Sequence, residues 1–205
     1  MVHTPAALNT SIDALCEIEP GFARAVEQIG YPEPRVRARG YETLLRTIVA
    51  QQVSTAAAAS VWNRLEALLG AGCPPEALIA QEFESLRACG LSRQKQGYAR
   101  SLAELVVSGA LDLHHLPVDD EEAIALLVQV KGIGRWSAEI YLLFAEGRPD
   151  IWPAGDLAVQ IGIGQMLGLD ERPGEKLLRA RAEDWRPHRS AAALFAWHHY
   201  NSATL

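Results

Sequence analysis

Between Leu126 and Phe144 the chain reads LLVQVKGIGRWSAEIYLLF, two apolar stretches of helical character broken by Lys131-Gly132-Ile133-Gly134. Two helices must therefore meet over four residues, with glycines where the turn is too tight for side chains. The rest of the chain obeys the same period. In YETLLRTIVAQQVSTAAAASVWNRLEALLG, which begins at Tyr41, the residues Leu44, Leu45, Ile48, Val49, Val61, Leu65 and Leu68 recur at three- and four-residue steps, and Gly70 and Gly72 close the run. Pro74 and Pro75 suit a helix start, Gly90 a C-cap, Ser92 an N-cap, and Asp119 with Glu122 the spacing of a capping box. Alternating β-rich runs joined by Asn-Gly or Asp-Gly are missing, so the expected fold is all-α.

A chain of 205 residues allows one large domain or two small ones and can bury a core without a disulfide or metal staple. The three cysteines, Cys16, Cys73 and Cys89, form no CxxC pair, which excludes a sequence-local zinc or iron–sulfur ligand set. The first twenty residues lack a basic segment followed by an apolar one, so no signal peptide is expected. The longest uncharged stretch, Thr47 to Asn63, contains Gln51, Gln52, Ser54, Thr55 and Ser60 and falls short of the roughly 20 apolar residues of a membrane span. The reading is a cytoplasmic protein with no membrane contact. A net charge of −6 argues against coating nucleic acid through the overall field, so any such site must be local.

The hairpin supplies a local site. Backbone N–H groups in a Gly-x-Gly turn, together with the N-terminus of the second helix, can converge on a phosphate, and Lys131 and Arg135 add positive charge beside it. A glycine-rich corner with solvated charges is the plain alternative. Downstream, IWPAGDLAVQ places Asp156 directly before another helix. Helix capping is the commoner employment of such an aspartate. His198 and His199, with His188 nearby, do not read as metal ligands, because adjacent helical side chains diverge by about 100°.

The hairpin, followed 22 residues after Gly134 by the aspartate of a Trp-Pro-x-x-Asp turn, resembles the helix-hairpin-helix (HhH-GPD) DNA glycosylase superfamily. Within it the chain is most similar to the alkylated-base branch, the AlkA type or 3-methyladenine DNA glycosylase II. The supporting stretches are IVAQQVSTAAA, LRACGLSRQK, KGIGRWSAEIYLL, DIWPAGDLAVQ and WRPHRSAAALFAW. Trp136 stands where the bifunctional lyases of the superfamily carry a nucleophilic lysine, which implies a monofunctional hydrolase. No cysteine follows Cys89, so the four-cysteine cluster of the endonuclease III and adenine-glycosylase branches is absent. The chain resembles the compact form without an N-terminal β domain.

The resemblance implies two helical subdomains with the active site in the cleft between them. Residues 1–39 with 147–205 would form the subdomain carrying the aspartate, and 40–146 a central bundle with the hairpin at about 122–145. Asp156 is implied to be catalytic. Trp136 and Trp197 would form the base pocket. Lys131, Gly132, Ile133, Gly134 and Arg135 would bind DNA, with Gln52 as the wedge filling the gap left by a flipped nucleotide. Ile140 replaces a third pocket aromatic of the branch. No cofactor or catalytic metal is expected, although carbonyls of residues 130–135 could hold a structural cation. The implied partner is duplex DNA containing alkylated bases, bound by a monomer, with 3-methyladenine or 7-methylguanine hydrolysed away to leave an abasic site. The alternatives are a non-catalytic DNA-binding hairpin module and a glycosylase for a neutral lesion such as uracil or hypoxanthine. The basic pairs Arg35 to Arg39, Arg93 to Lys95 and Arg179 to Arg181 read as solvated faces.

Overall fold

The computed structural model describes residues 4–202, and every regular element among them is helical. The described residues fall into two compact units, one running up to Val36 and resuming at Glu139, the other spanning Arg37–Ala138. The later boundary lies inside the hairpin's second helix rather than after it, where the sequence reading put it at residue 147.

The first unit contains α1 (Pro5–Ile18), α2 (Pro20–Ile29), α10 (Leu157–Met166), α11 (Glu175–Arg181) and α12 (Arg189–Ser202). Thr4 caps α1 through its hydroxyl, which accepts from the Ala7 N–H, and Pro5 takes the first helical position. Leu8, Ile12 and Leu15, four and three residues apart, are fully buried. Phe22, Trp152, Trp185 and Phe195 form an aromatic cluster with edge contacts at 5.4 Å between the rings of Phe22 and Trp185 and of Trp152 and Trp185. The pairing of α10 with α12 is closest at Gly162, where a Cβ would lie 2.3 Å from the Ala196 carbonyl oxygen. The Gly-Ile-Gly of α10 is thus a packing device inside a helix, unlike the same tripeptide in the hairpin.

The second unit contains α3 (Tyr41–Ala50), α4 (Thr55–Leu69), α5 (Pro75–Ile79), α6 (Phe83–Ala88), α7 (Arg93–Val107), α8 (Asp120–Leu127) and the start of α9 (Arg135–Tyr141). The run from Tyr41 is two helices, because Gln51 leaves helical geometry and Ser54 caps α4 by accepting from the Ala57 N–H. On α7, Ala99, Leu102 and Ala103 are fully buried, and Arg100 donates to the Ile79 carbonyl at the end of α5. Beyond α9 the helix loosens into a π turn, Leu142–Glu146, ended by Gly147 in the left-handed region at φ 66°.

Candidate nucleic-acid interface and carboxylate site

The hairpin is built by local rules. Asp119 accepts from the Glu122 N–H at 2.9 Å and starts α8, and the last turn unwinds through Val130, whose carbonyl accepts from the Ile133 N–H. Gly132 sits at φ 82°, and a Cβ there would lie 2.2 Å from the Tyr98 ring. The two glycines are not equivalent, however: a Cβ on Gly134 would meet open space, and its φ is ordinary. Protein packing therefore explains Gly132 and leaves Gly134 without an internal reason. The expected row of consecutive N–H donors is also interrupted, because Lys131 donates its N–H to Ser101 Oγ at 3.1 Å and Ile133 donates its own to the Val130 carbonyl. The carbonyls of Val130, Gly132 and Gly134 each accept a bond, from Ile133, Gln51 and Ala138.

Of the two hairpin cations, Lys131 is exposed and carries no ion pair among the described residues. Arg135 is held by Glu121 in a two-pronged pair, with Nη1 donating to Oε2 at 2.8 Å. Charge that the sequence reading assigned to a ligand is thus half neutralised by the first turn of α8.

Beside the hairpin, a cavity of about 750 Å³ is lined by Arg37, Gln51, Gln52, Lys95, Tyr98 and Trp136, among others. Trp136 is 48% exposed, a large apolar face open to solvent at the start of α9. Gln52 is exposed in the turn after α3 and occupies the left-handed region at φ 55°, which a residue with a side chain adopts only when its neighbours fix it. Gln51 does so by donating through Nε2 to the Gly132 carbonyl at 2.9 Å, tying this turn to the hairpin. Lys95 adds a second tie: its ammonium donates to the Val49 carbonyl at 2.7 Å, and burial pushes its pKa down from the ordinary lysine value. Neither bond was visible in the sequence, since the partners are 81 and 46 residues apart.

Asp156 closes the turn Ile151–Gly155 and is the N-cap of α10, accepting from the Val159 N–H at 3.0 Å. The same oxygen, Oδ1, accepts from Trp197 Nε1 at 3.0 Å. The indole of Trp197 stacks on Phe144 of the π turn, with ring centroids 5.4 Å apart. The loop leading to Asp156 is clamped to α12. Arg189 binds both carboxylate oxygens and the carbonyl of Asp150, and Ser190 Oγ bonds the Arg148 carbonyl and the Ile151 N–H. Arg179 joins Glu139, 2% exposed, to Glu175 and to the Trp152 carbonyl. Arg179 and Lys95 are therefore structural pins, where the sequence reading had solvated faces. Ile140 is buried. Among the described residues no group of three or more His, Cys, Asp or Glu side chains could hold a metal ion, and no helix is long and apolar enough to cross a membrane.

Two apolar helices joined through a Gly-x-Gly turn, with a helix-capping aspartate downstream, define a helix-hairpin-helix protein. The chain belongs to the HhH-GPD superfamily of base excision DNA repair proteins, whose family profile matches residues 45–188. It is 32% identical over 190 residues, 89% of this chain and 83% of the relative, to DNA-3-methyladenine glycosylase 1 of Schizosaccharomyces pombe. Among solved structures it is similar to the 3-methyladenine DNA glycosylase of S. pombe in complex with abasic DNA, at TM-score 0.77 and 31% identity, covering 96% of this chain and 97% of that one. It is also similar to a DNA-3-methyladenine glycosidase from Bacillus halodurans, at TM-score 0.85 and 31% identity, covering 98% and 93%.

Proposed function

We propose that this protein is a monofunctional DNA glycosylase that hydrolyses the N-glycosidic bond of alkylated purines, 3-methyladenine and 7-methylguanine, in duplex DNA and leaves an abasic site. The observation that carries the reading is the Asp156 carboxylate, held by two N–H donors on one oxygen at the mouth of a helix. A pure DNA-binding module has no use for a carboxylate set against a polyanion. The relatives named as 3-methyladenine glycosylases support the choice of lesion.

The reading assigns roles as follows. The hairpin residues Lys131 to Arg135 receive the phosphate backbone, and Gln52 enters the stack as the damaged nucleotide turns out. Trp136 and Trp197 offer indole faces to the base. An N-alkylated purine is cationic, so stacking gains a cation–π term of about 0.5 to 2 kcal/mol. As the glycosidic bond lengthens, positive charge grows on the sugar, and Asp156 stabilises it and orients the attacking water. The leaving base is already activated by its charge and needs no general acid. With Trp136 in place of an amine, no Schiff base forms at that position. The protein acts as a monomer in the cytoplasm.

The test is release of free bases from methylated duplex DNA by the purified protein and by Asp156→Asn, without added metal. Asparagine caps a helix as well as aspartate, so the variant keeps its fold and DNA binding. The expected outcome is release of 3-methyladenine and 7-methylguanine by the parent, falling by about a hundredfold or more in the variant. Equal activity of the two proteins overturns the role of Asp156. DNA binding without release from methylated DNA, but with release of uracil or hypoxanthine, moves the substrate to a neutral lesion.

A further inference from the structure

We propose that Trp197 is a positioning residue for Asp156, acting through the edge of its indole rather than through its face alone. The inference rests on the role given to Asp156 above. An aspartate side chain turns easily about its last bond, where the torsional profile is broad and roughly two-fold. One capping bond from Val159 leaves that rotation open. A second donor converging on the same Oδ1, the Trp197 N–H at 3.0 Å, fixes the plane of the carboxylate.

The donor is itself held firmly. Its ring lies on Phe144, at 5.4 Å and 26° between planes. The preceding residue, Ala196, is fully buried, and its carbonyl lies where a Cβ on Gly162 of α10 would be 2.3 Å away. The helix bearing the indole and the helix capped by the carboxylate are thus in backbone contact one residue before Trp197 on α12 and six residues after Asp156 on α10. One face of the indole is occupied by Phe144, and its N–H is spent on the carboxylate. Such preorganisation is worth most where charge develops, because the oriented group need not reorganise during the reaction.

The experiment measures affinity for two duplexes with no base at the lesion position, one carrying a cationic pyrrolidine in place of the sugar and one a neutral tetrahydrofuran. Stacking on a base cannot contribute to either, so the ratio of the two affinities reads the stabilisation of charge at the sugar, and its fall in Asp156→Asn gives the share of the carboxylate. In the parent the ratio is expected to favour pyrrolidine strongly. Trp197→Phe keeps a ring on Phe144 and removes the N–H; it is expected to lower the ratio about tenfold. Phe144→Leu, which loosens the indole without touching the N–H, is expected to lower it part of the way. The double variant Asp156→Asn, Trp197→Phe is expected to fall no lower than Asp156→Asn. A parental ratio in Trp197→Phe, or a further drop in the double variant, overturns the proposal and leaves Trp197 as a stacking face. A ratio near one in the parent itself overturns the role of Asp156, and with it this inference.

Discussion

A methyl group placed on Gly132 would run into the Tyr98 ring at 2.2 Å in a backbone conformation that side chains disfavour, whereas the same methyl on Gly134 would meet nothing. The two positions are therefore a controlled pair. Gly132→Ala is expected to lower stability by about 1 to 3 kcal/mol in urea unfolding, because both the strain and the ring contact must be relieved. Gly134→Ala is expected to leave the unfolding midpoint unchanged and to weaken duplex binding severalfold, since its open side is where a phosphate would come closest. Loss of stability in the second variant with DNA binding intact would overturn the hairpin assignment. From the sequence alone the two glycines read alike, as members of one tight turn. What distinguishes them is Tyr98, 34 residues upstream. The same holds for Asp156. Its sequence setting suits a helix cap and a functional carboxylate alike. In the fold one oxygen serves the cap, and the second donor to it comes from a residue 41 positions away.

The elements themselves were legible. Ser92 and Asp119 cap the helices expected of them, and Leu44, Leu45, Ile48, Val49 and Leu65 of the Tyr41 run are buried, although Leu69 takes the buried place expected of Leu68, which is exposed. Capping and periodicity are interactions within a few residues, and a sequence displays those directly. The clamp between α12 and the loop before Asp156 was not legible, because it depends on arginines whose partners lie far along the chain. Arg189 reaches Asp150 across 39 residues, with side chains 12% and 14% exposed. Removing the carboxylate leaves a largely buried guanidinium with the more exposed Glu183 carboxylate, 3.2 Å from Nη1, as its remaining ion-pair partner. Asp150→Ala is therefore expected to cost about 3 kcal/mol, measured by chemical denaturation. Arg189→Met, which removes the charge along with the pair, is expected to cost less. If Asp150→Ala unfolds at the parent's midpoint, the clamp is not what holds the loop.

At the scale of the whole chain the formal charge is −6, so attraction to DNA must come from few contacts. Lys131 carries no ion pair among the described residues, whereas Arg135 already engages Glu121. Lys131→Ala is expected to make the plot of log affinity against log salt shallower by about one, and Arg135→Ala to change it less. An unchanged slope in Lys131→Ala would place the phosphate contacts elsewhere. The net charge had predicted only that a nucleic-acid site must be local; which cation is available was settled by an acidic helix start 14 residues before Arg135. The π turn Leu142–Glu146 carries a different kind of information. A π turn holds one residue more than the α-helical turn it interrupts, and such turns are frequent at functional sites. Counted in that way, the interval from Gly134 to Asp156 is a ruler with one extra mark. In a descendant that lost the mark, the residues after it would rotate by about 100°, carrying the aromatic partner of Trp197 away from it. Gaps in this short stretch should therefore be rarer among relatives than substitutions.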